Sequence, residues 1–280
     1  SVLFINGSTT ASTVVLDTSG NGTSDGVCNA SGHTAATNVA LTHETEVCAV
    51  VKNNFTTPEA LAGKTVVFTV SSGQVGAHNG LSSASTATYT ATTDINGVAF
   101  ADVTSTKSGA QTVTATADTA SASGTVTYAT PTPAAARNIA AAPASGTVTA
   151  GTPQKFTFTV TDQYGNGVPG VSVLATQSGP GILANGNSTV ITDSNGQASV
   201  QLTTQATDTG SGTVTGSIAA GGNQCALAAG NPAGATAGNC TAVATYTIGA
   251  PVVPASLTLV AAPGARVGTE ELLAATVKNN

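Results

Sequence analysis

The chain has 280 residues, enough for two domains that each bury a core. Only 7% of residues are charged, the net charge is −6 and the 7 Lys+Arg are spread along the length, which excludes a basic stripe able to engage a nucleic-acid backbone. No apolar run approaches the roughly 18 residues of a membrane-spanning helix, so neither a nucleic-acid partner nor a membrane span is expected in this segment.

The first candidate strand is Thr13–Leu16, followed by a polar, Gly/Ser/Asn-rich insertion from Asp17 to about His43. A second strand near Glu46–Lys52 would turn Val47, Ala49 and Val51 inward. Lys64–Val70 alternates cleanly, with Val66, Phe68 and Val70 on one face and Thr65, Val67 and Thr69 on the other. Next comes Thr93–Thr104, TDINGVAFADVT. Its Asp-x-Asn-Gly supplies a short polar side chain and a glycine for a tight turn, and Ala99, Ala101 and Val103 then share the buried face of the departing strand. Thr112–Ala117 and Thr125–Ala129 are two further strands, with Gly124 read as lying between them.

Thr130–Ala136, TPTPAAA, reads as a stiff extended linker. Beyond it the series repeats. Arg137–Ala142 matches the first strand, and Lys155–Thr161 turns Phe156, Phe158 and Val160 inward. The turn Asp162–Gly167 leads to a strand at Val171–Thr176. The motif then returns as TDSNGQASVQLT at Thr192–Thr203, with Ala198, Val200 and Leu202 inward. Thr213–Ile218 and Ala242–Ile248 close the unit around an insert, Gly221–Thr241, and Tyr246 is placed like Tyr128. A second proline linker, Ala250–Pro254, leads to Ser256–Ala261 and Glu270–Asn280, where LAATVKNN echoes VCAVVKNN at Val47–Asn54. The expected domains are therefore 1–130, with a long insertion at 17–43; 131–249, with an insertion at 221–241; and 250–280, the first strands of an incomplete third domain. The absence of Met, at position 1 as elsewhere, reads as a processed or excised piece of a longer product.

Short strands, turn chemistry about every ten residues and no helical periodicity define an all-β fold of tandem β-sandwiches. FTFTVTDQYGNGVPGVSV at Phe156–Val173, followed by TDSNGQASVQLT, resembles the bacterial immunoglobulin-like domain of the invasin and intimin type. The resemblance covers Ala134–Ile248 and, more loosely, Thr9–Ala129. It implies tandem Ig-like domains joined by proline-containing linkers, as found in adhesins, surface layers and other exported proteins, and it carries no catalytic residues.

Four Cys fall in two local pairs, Cys28 with Cys48 and Cys225 with Cys240, the pattern of loop-closing disulfides in a secreted protein. Asp17–Asp25, DTSGNGTSD, resembles a calcium loop in which Asp17, Ser19, Asn21 and Asp25 supply oxygen ligands. Position twelve is Cys28 in place of a bidentate Glu, and the competing reading is a turn-rich surface loop. Cys28, His33, His43 and Cys48 would also suit a Cys2His2 zinc site, with a plain disulfide as the competitor. Glycosylation sequons stand at Asn6, Asn21, Asn29, Asn54, Asn187 and Asn239. Asp94 and Asp193 are read as turn caps. The three histidines, His33, His43 and His78, sit in no nucleophile context, and the absence of Trp removes the usual sugar-stacking platform, so no enzyme is expected. The expected role is a structural segment of a secreted or cell-surface stalk, filament or surface layer that associates with neighbouring copies through Phe100 and Ser256–Asn280. An adhesin that binds a surface glycan or receptor, or an accessory domain of a secreted enzyme, is the alternative.

Overall fold

The computed structural model describes residues 10–18, 28, 36–37, 39–78, 81, 86–219, 221–231, 233–250, 254–260 and 274–279. The chain divides into two compact units, Ser1–Pro131 with Tyr164–Asn166 and Thr132–Gln163 with Gly167–Asn280.

In the first unit the strands are β1 (Thr13–Asp17), β2 (Thr45–Lys52), β3 (Thr65–Val70), β4 (Gln74–Gly76), β5 (Thr88–Thr92), β6 (Val98–Thr104), β7 (Gly109–Ala117) and β8 (Ala120–Tyr128). They form two sheets with the orders β1-β2-β6-β4 and β5-β3-β7-β8. The second unit contains β9 (Asn138–Ala142), β10 (Ser145–Thr149), β11 (Gln154–Thr161), β12 (Ser172–Ser178), β13 (Ile182–Leu183), β14 (Ser188–Ile191), β15 (Gln197–Thr203), β16 (Gly210–Ile218) and β17 (Thr241–Gly249). Its sheets run β9-β11-β15-β13 and β14-β12-β16-β17-β10. Strand for strand the orders coincide, and both follow the A-B-E-D and C-F-G plan of an immunoglobulin sandwich with an added strand beside C. Strand β10 pairs in parallel with β17, Gly146 opposite Tyr246. Among the described residues of the first unit, the corresponding pairing is a parallel bridge, Val39 to Tyr128. Two further strands, β18 (Pro254–Val260) and β19 (Ala274–Asn279), pair antiparallel with each other.

Alternation puts small aliphatics inside each sandwich. Val47, Ala49, Val51, Val66, Phe68, Ala99, Ala101 and Val103 are buried in the first unit. Phe156, Phe158, Val160, Ala198, Val200 and Leu202 are buried in the second. Tyr128 and Tyr246 close the two cores from β8 and β17. The Tyr128 hydroxyl donates to the Val103 carbonyl at 3.1 Å, tying the second sheet to the first. Burial pushes the Tyr128 phenol up to about 12 from its ordinary 10. Above pH 10 the unfolded chain loses this proton while the folded chain keeps it, so stability is intact below pH 10 and falls as pH rises towards 12. Denaturant melts across that window should lose roughly 2–3 kcal/mol from the first unit, and Tyr128→Phe should flatten the slope.

The repeated T-D-x-N-G motif is explained residue by residue. Thr93 is buried; its hydroxyl accepts from Lys64 N at 2.8 Å and donates to Leu61 O at 2.6 Å, and Thr192 does the same with Val171 N and Val168 O. Asp94 Oδ1 accepts from the amides of Asn96 and Val98, and Asp193 Oδ1 from those of Asn195 and Gln197, the side-chain turn that caps the hairpin. Gly196 (φ +74°) lies so close to the neighbouring strand that a Cβ would come within 2.6 Å of Val168 N and nearer still to Val160 O. Gly63 has a similar φ of +70° with open space around it. Gly196→Ala should therefore cost more than about 2 kcal/mol in denaturant melts, and Gly63→Ala only about 1, the backbone term alone.

Gly124 does not separate two strands. It lies inside β8, because the β7–β8 hairpin turns at Asp118 and Thr119, where Asp118 adopts φ +52°. Lys64 donates to the Asp118 carboxylate at 2.6 Å, and with the Ala11 amide it holds that carboxyl below the usual range. Glycine at 124 answers a close approach, since a Cβ there would meet Thr18 Cγ2 at 2.8 Å.

Candidate functional site

The outer face of the β1-β2-β6-β4 sheet brings three ionisable side chains, Glu46, His78 and Asp102, together. Strands β2 and β6 are antiparallel with Glu46 directly opposite Asp102 and Cys48 opposite Phe100, so all four project from the side away from the core. Strand β4 pairs on the far side of β6, Gly76 opposite Asp102, and the chain then runs two residues further to His78. His78 Nδ1 sits 3.2 Å from Glu46 Oε2 and 3.4 Å from Asp102 Oδ1. The side chains of Glu46 and Asp102 are 6% and 0% exposed, that of His78 25%. The Phe100 ring packs against the imidazole with centroids 5.4 Å apart, covering the group on one side. Among the described residues, Glu46, His78 and Asp102 are the group whose ligand atoms lie close enough together to share one metal ion, all within 4.8 Å.

In the second unit the matching positions differ in chemistry. Lys155 stands opposite Gln201 on β11 and β15. Around them opens a cleft of about 460 Å³, lined by Lys155, Leu183, Asn185, Ser188, Ser199 and Gln201.

The second unit is instead organised around Arg137, which is fully buried. Its Nε donates to Thr236 O at 3.0 Å, one terminal nitrogen to Ala228 O at 2.9 Å, and the other to Gln224 O at 3.4 Å and to Asn231 O. Four carbonyls of the insert thus wrap one guanidinium. Cys225 is bonded to Cys240, with Cα atoms 4.9 Å apart, closing the same insert.

The residues singled out by sequence distribute as follows. Cys28 is joined to Cys48, Cα–Cα 5.8 Å, which leaves no thiolate for the Cys2His2 zinc reading. His43 is exposed, its Nδ1 2.7 Å from Glu44 O, and His33 lies outside the described residues. Of the calcium-loop residues, Asp17 is the buried last residue of β1, opposite Cys48, while Ser19, Asn21 and Asp25 lie outside the described residues. Asn6, Asn21 and Asn29 also lie outside them. Asn54, Asn187 and Asn239 are exposed. Asn239 Nδ2 donates to Ile139 O at 3.2 Å, so a glycan there would compete with that bond. Phe100 faces outward but is half-covered by His78 of its own chain, and within Ser256–Asn280 the described strands pair with each other. Sequence reasoning missed Glu46, Asp102 and Arg137. The signal for the first two was their shared outward parity on strands that pair, which needs the β2–β6 register to be seen.

The fold thus defines a tandem immunoglobulin-like β-sandwich protein. No protein-family model matches the chain, and no curated protein does. Solved structures similar to it include invasin, a bacterial integrin-binding protein, at 21% identity over 80% of this chain and 40% of that one, TM-score 0.29. InvD of Yersinia pseudotuberculosis is 18% identical over 80% and 60%, TM-score 0.37. Domains 4 and 5 of the S-layer protein SbsC are 15% identical over 86% and 100%, TM-score 0.29. The chain spans about two-fifths of the invasin structure's length.

Proposed function

We propose that this chain is a structural segment of a secreted or cell-surface assembly, a stalk, filament or surface layer, in which consecutive sandwiches act as spacers between neighbouring copies. The observation that carries the reading is the repetition of one strand order in both units, with aliphatic interiors and a surface of hydroxyls in place of charges. Loop-closing disulfides in each unit favour an oxidising, extracellular location. The β18–β19 hairpin is the element assigned to contacts with another copy, because two strands alone bury little. Antibodies to the Gly221–Thr241 insert should label intact cells or shed fibres in electron microscopy. Label that appears only after the cells are permeabilised would overturn the reading.

A binding role is the second reading, and the cleft around Lys155 and Gln201 favours it. A glycan or receptor signal lost in Lys155→Ala and Gln201→Ala would select it over the spacer.

A further inference from the structure

We propose that Glu46, His78 and Asp102 form a binding site for one divalent transition-metal ion, zinc first, which clamps β2, β6 and the segment after β4 on the outer face of the first unit. Three observations converge on it.

The first is distance. An ion held tetrahedrally by nitrogen and oxygen at about 2.0–2.1 Å has ligand atoms roughly 3.3 Å apart along each edge. The two edges from His78 Nδ1 measure 3.2 Å to Glu46 Oε2 and 3.4 Å to Asp102 Oδ1. All three ligand atoms lie within 4.8 Å of one another, so side-chain adjustment would bring both carboxylates and the imidazole onto one ion.

The second is charge. Glu46 and Asp102 are directly opposed on neighbouring strands, an arrangement in which like charges destabilise a sheet, and both are buried. One divalent cation coordinated by both carboxylates would offset two negative charges at once. The fold does not require acids here, since the same cross-strand position in the second unit is Lys155 opposite Gln201. In a chain with 13 Asp+Glu and 3 His among 280 residues, the meeting of two acids and a histidine at one point is a property of this unit alone.

The third is the ligand set and its surroundings. One imidazole nitrogen and two carboxylates suit zinc or a neighbouring transition ion, whereas calcium takes six to eight oxygens. Phe100 against the imidazole limits the swing of the ring, and its remaining exposure leaves a side through which an ion enters and a water completes the fourth position. The role is structural: three elements distant in sequence become cross-linked outside the core.

The test uses the full chain with its disulfides intact, stripped with a chelator. It is titrated with Zn²⁺ by calorimetry and with Co²⁺ followed by its visible ligand-field absorption. One equivalent should bind, with an intense low-coordinate Co²⁺ spectrum that Zn²⁺ abolishes, and the melting temperature of the first unit should rise with zinc. His78→Gln lies at the exposed rim and should keep the circular dichroism of the parent while weakening binding at least about a hundredfold, as should Glu46→Gln. No saturable uptake, or uptake unchanged in His78→Gln, would overturn the site. If Asp102→Asn fails to fold, the rim variant still decides.

Discussion

Arg137→Met should lower the stability of the second unit by about 3–5 kcal/mol, read as the midpoint shift of its denaturant transition, with early amide exchange throughout the Gly221–Thr241 insert. The guanidinium is a donor that no aliphatic side chain replaces. Removing it leaves the carbonyls of Gln224, Ala228, Asn231 and Thr236 facing one another across a buried space. Methionine fills the volume and supplies no hydrogen. Lysine should recover only part of the loss, because three donors on one nitrogen do not reach carbonyls arranged around a planar fork. A variant with parental stability and an unchanged exchange pattern would show that the insert holds its shape without the cation.

Phe158→Ala should cost a comparable 3–5 kcal/mol, and the accompanying expectation is a rescue. Phe158 is fully buried, and its ring rests on Gly216 of the facing sheet, where a Cβ would come within 2.6 Å of Cε1 and 2.7 Å of Cγ. The missing side chain at 216 is the seat for the ring. Gly216→Val should therefore be strongly destabilising with Phe158 in place and much less so beside Phe158→Ala, giving a coupling energy above about 1 kcal/mol in a double-mutant cycle. Strict additivity would mean that ring and glycine do not share this space.

The two-residue alternation of β3, β11 and β15 made their inner faces legible in sequence. Their period needs no knowledge of neighbours. The turn motif was legible for the same reason, because Asp94 and Asp193 bond to amides two and four residues on. Short or unusual elements were not. Strand β13 has two residues, β4 three, and β10 begins Ser-Gly and draws its stability from pairing with β17. Gly124 was misread because glycine signals both turns and close contacts, and only the position of Thr18 decides between them. Alternation does give Glu46 and Asp102 their outward direction, yet outward in a sheet normally means solvated. Their burial depends on His78 and Phe100 and on the register that places them together, all long-range facts. Arg137 read only as the first residue of a strand for a similar reason, since every acceptor for its guanidinium lies in the distant insert.

The two cystine bridges each close a loop within one unit, spanning sequence separations of 20 and 15. A chain under tension gains at most about 3.3–3.6 Å per residue released, so the bridged loops withhold roughly 70 Å and 50 Å of extension from the first and second units. Pulled from its ends, the oxidised protein is thus a shorter tether than its reduced form once the sandwiches give way, and the redox state of its surroundings sets how far it pays out.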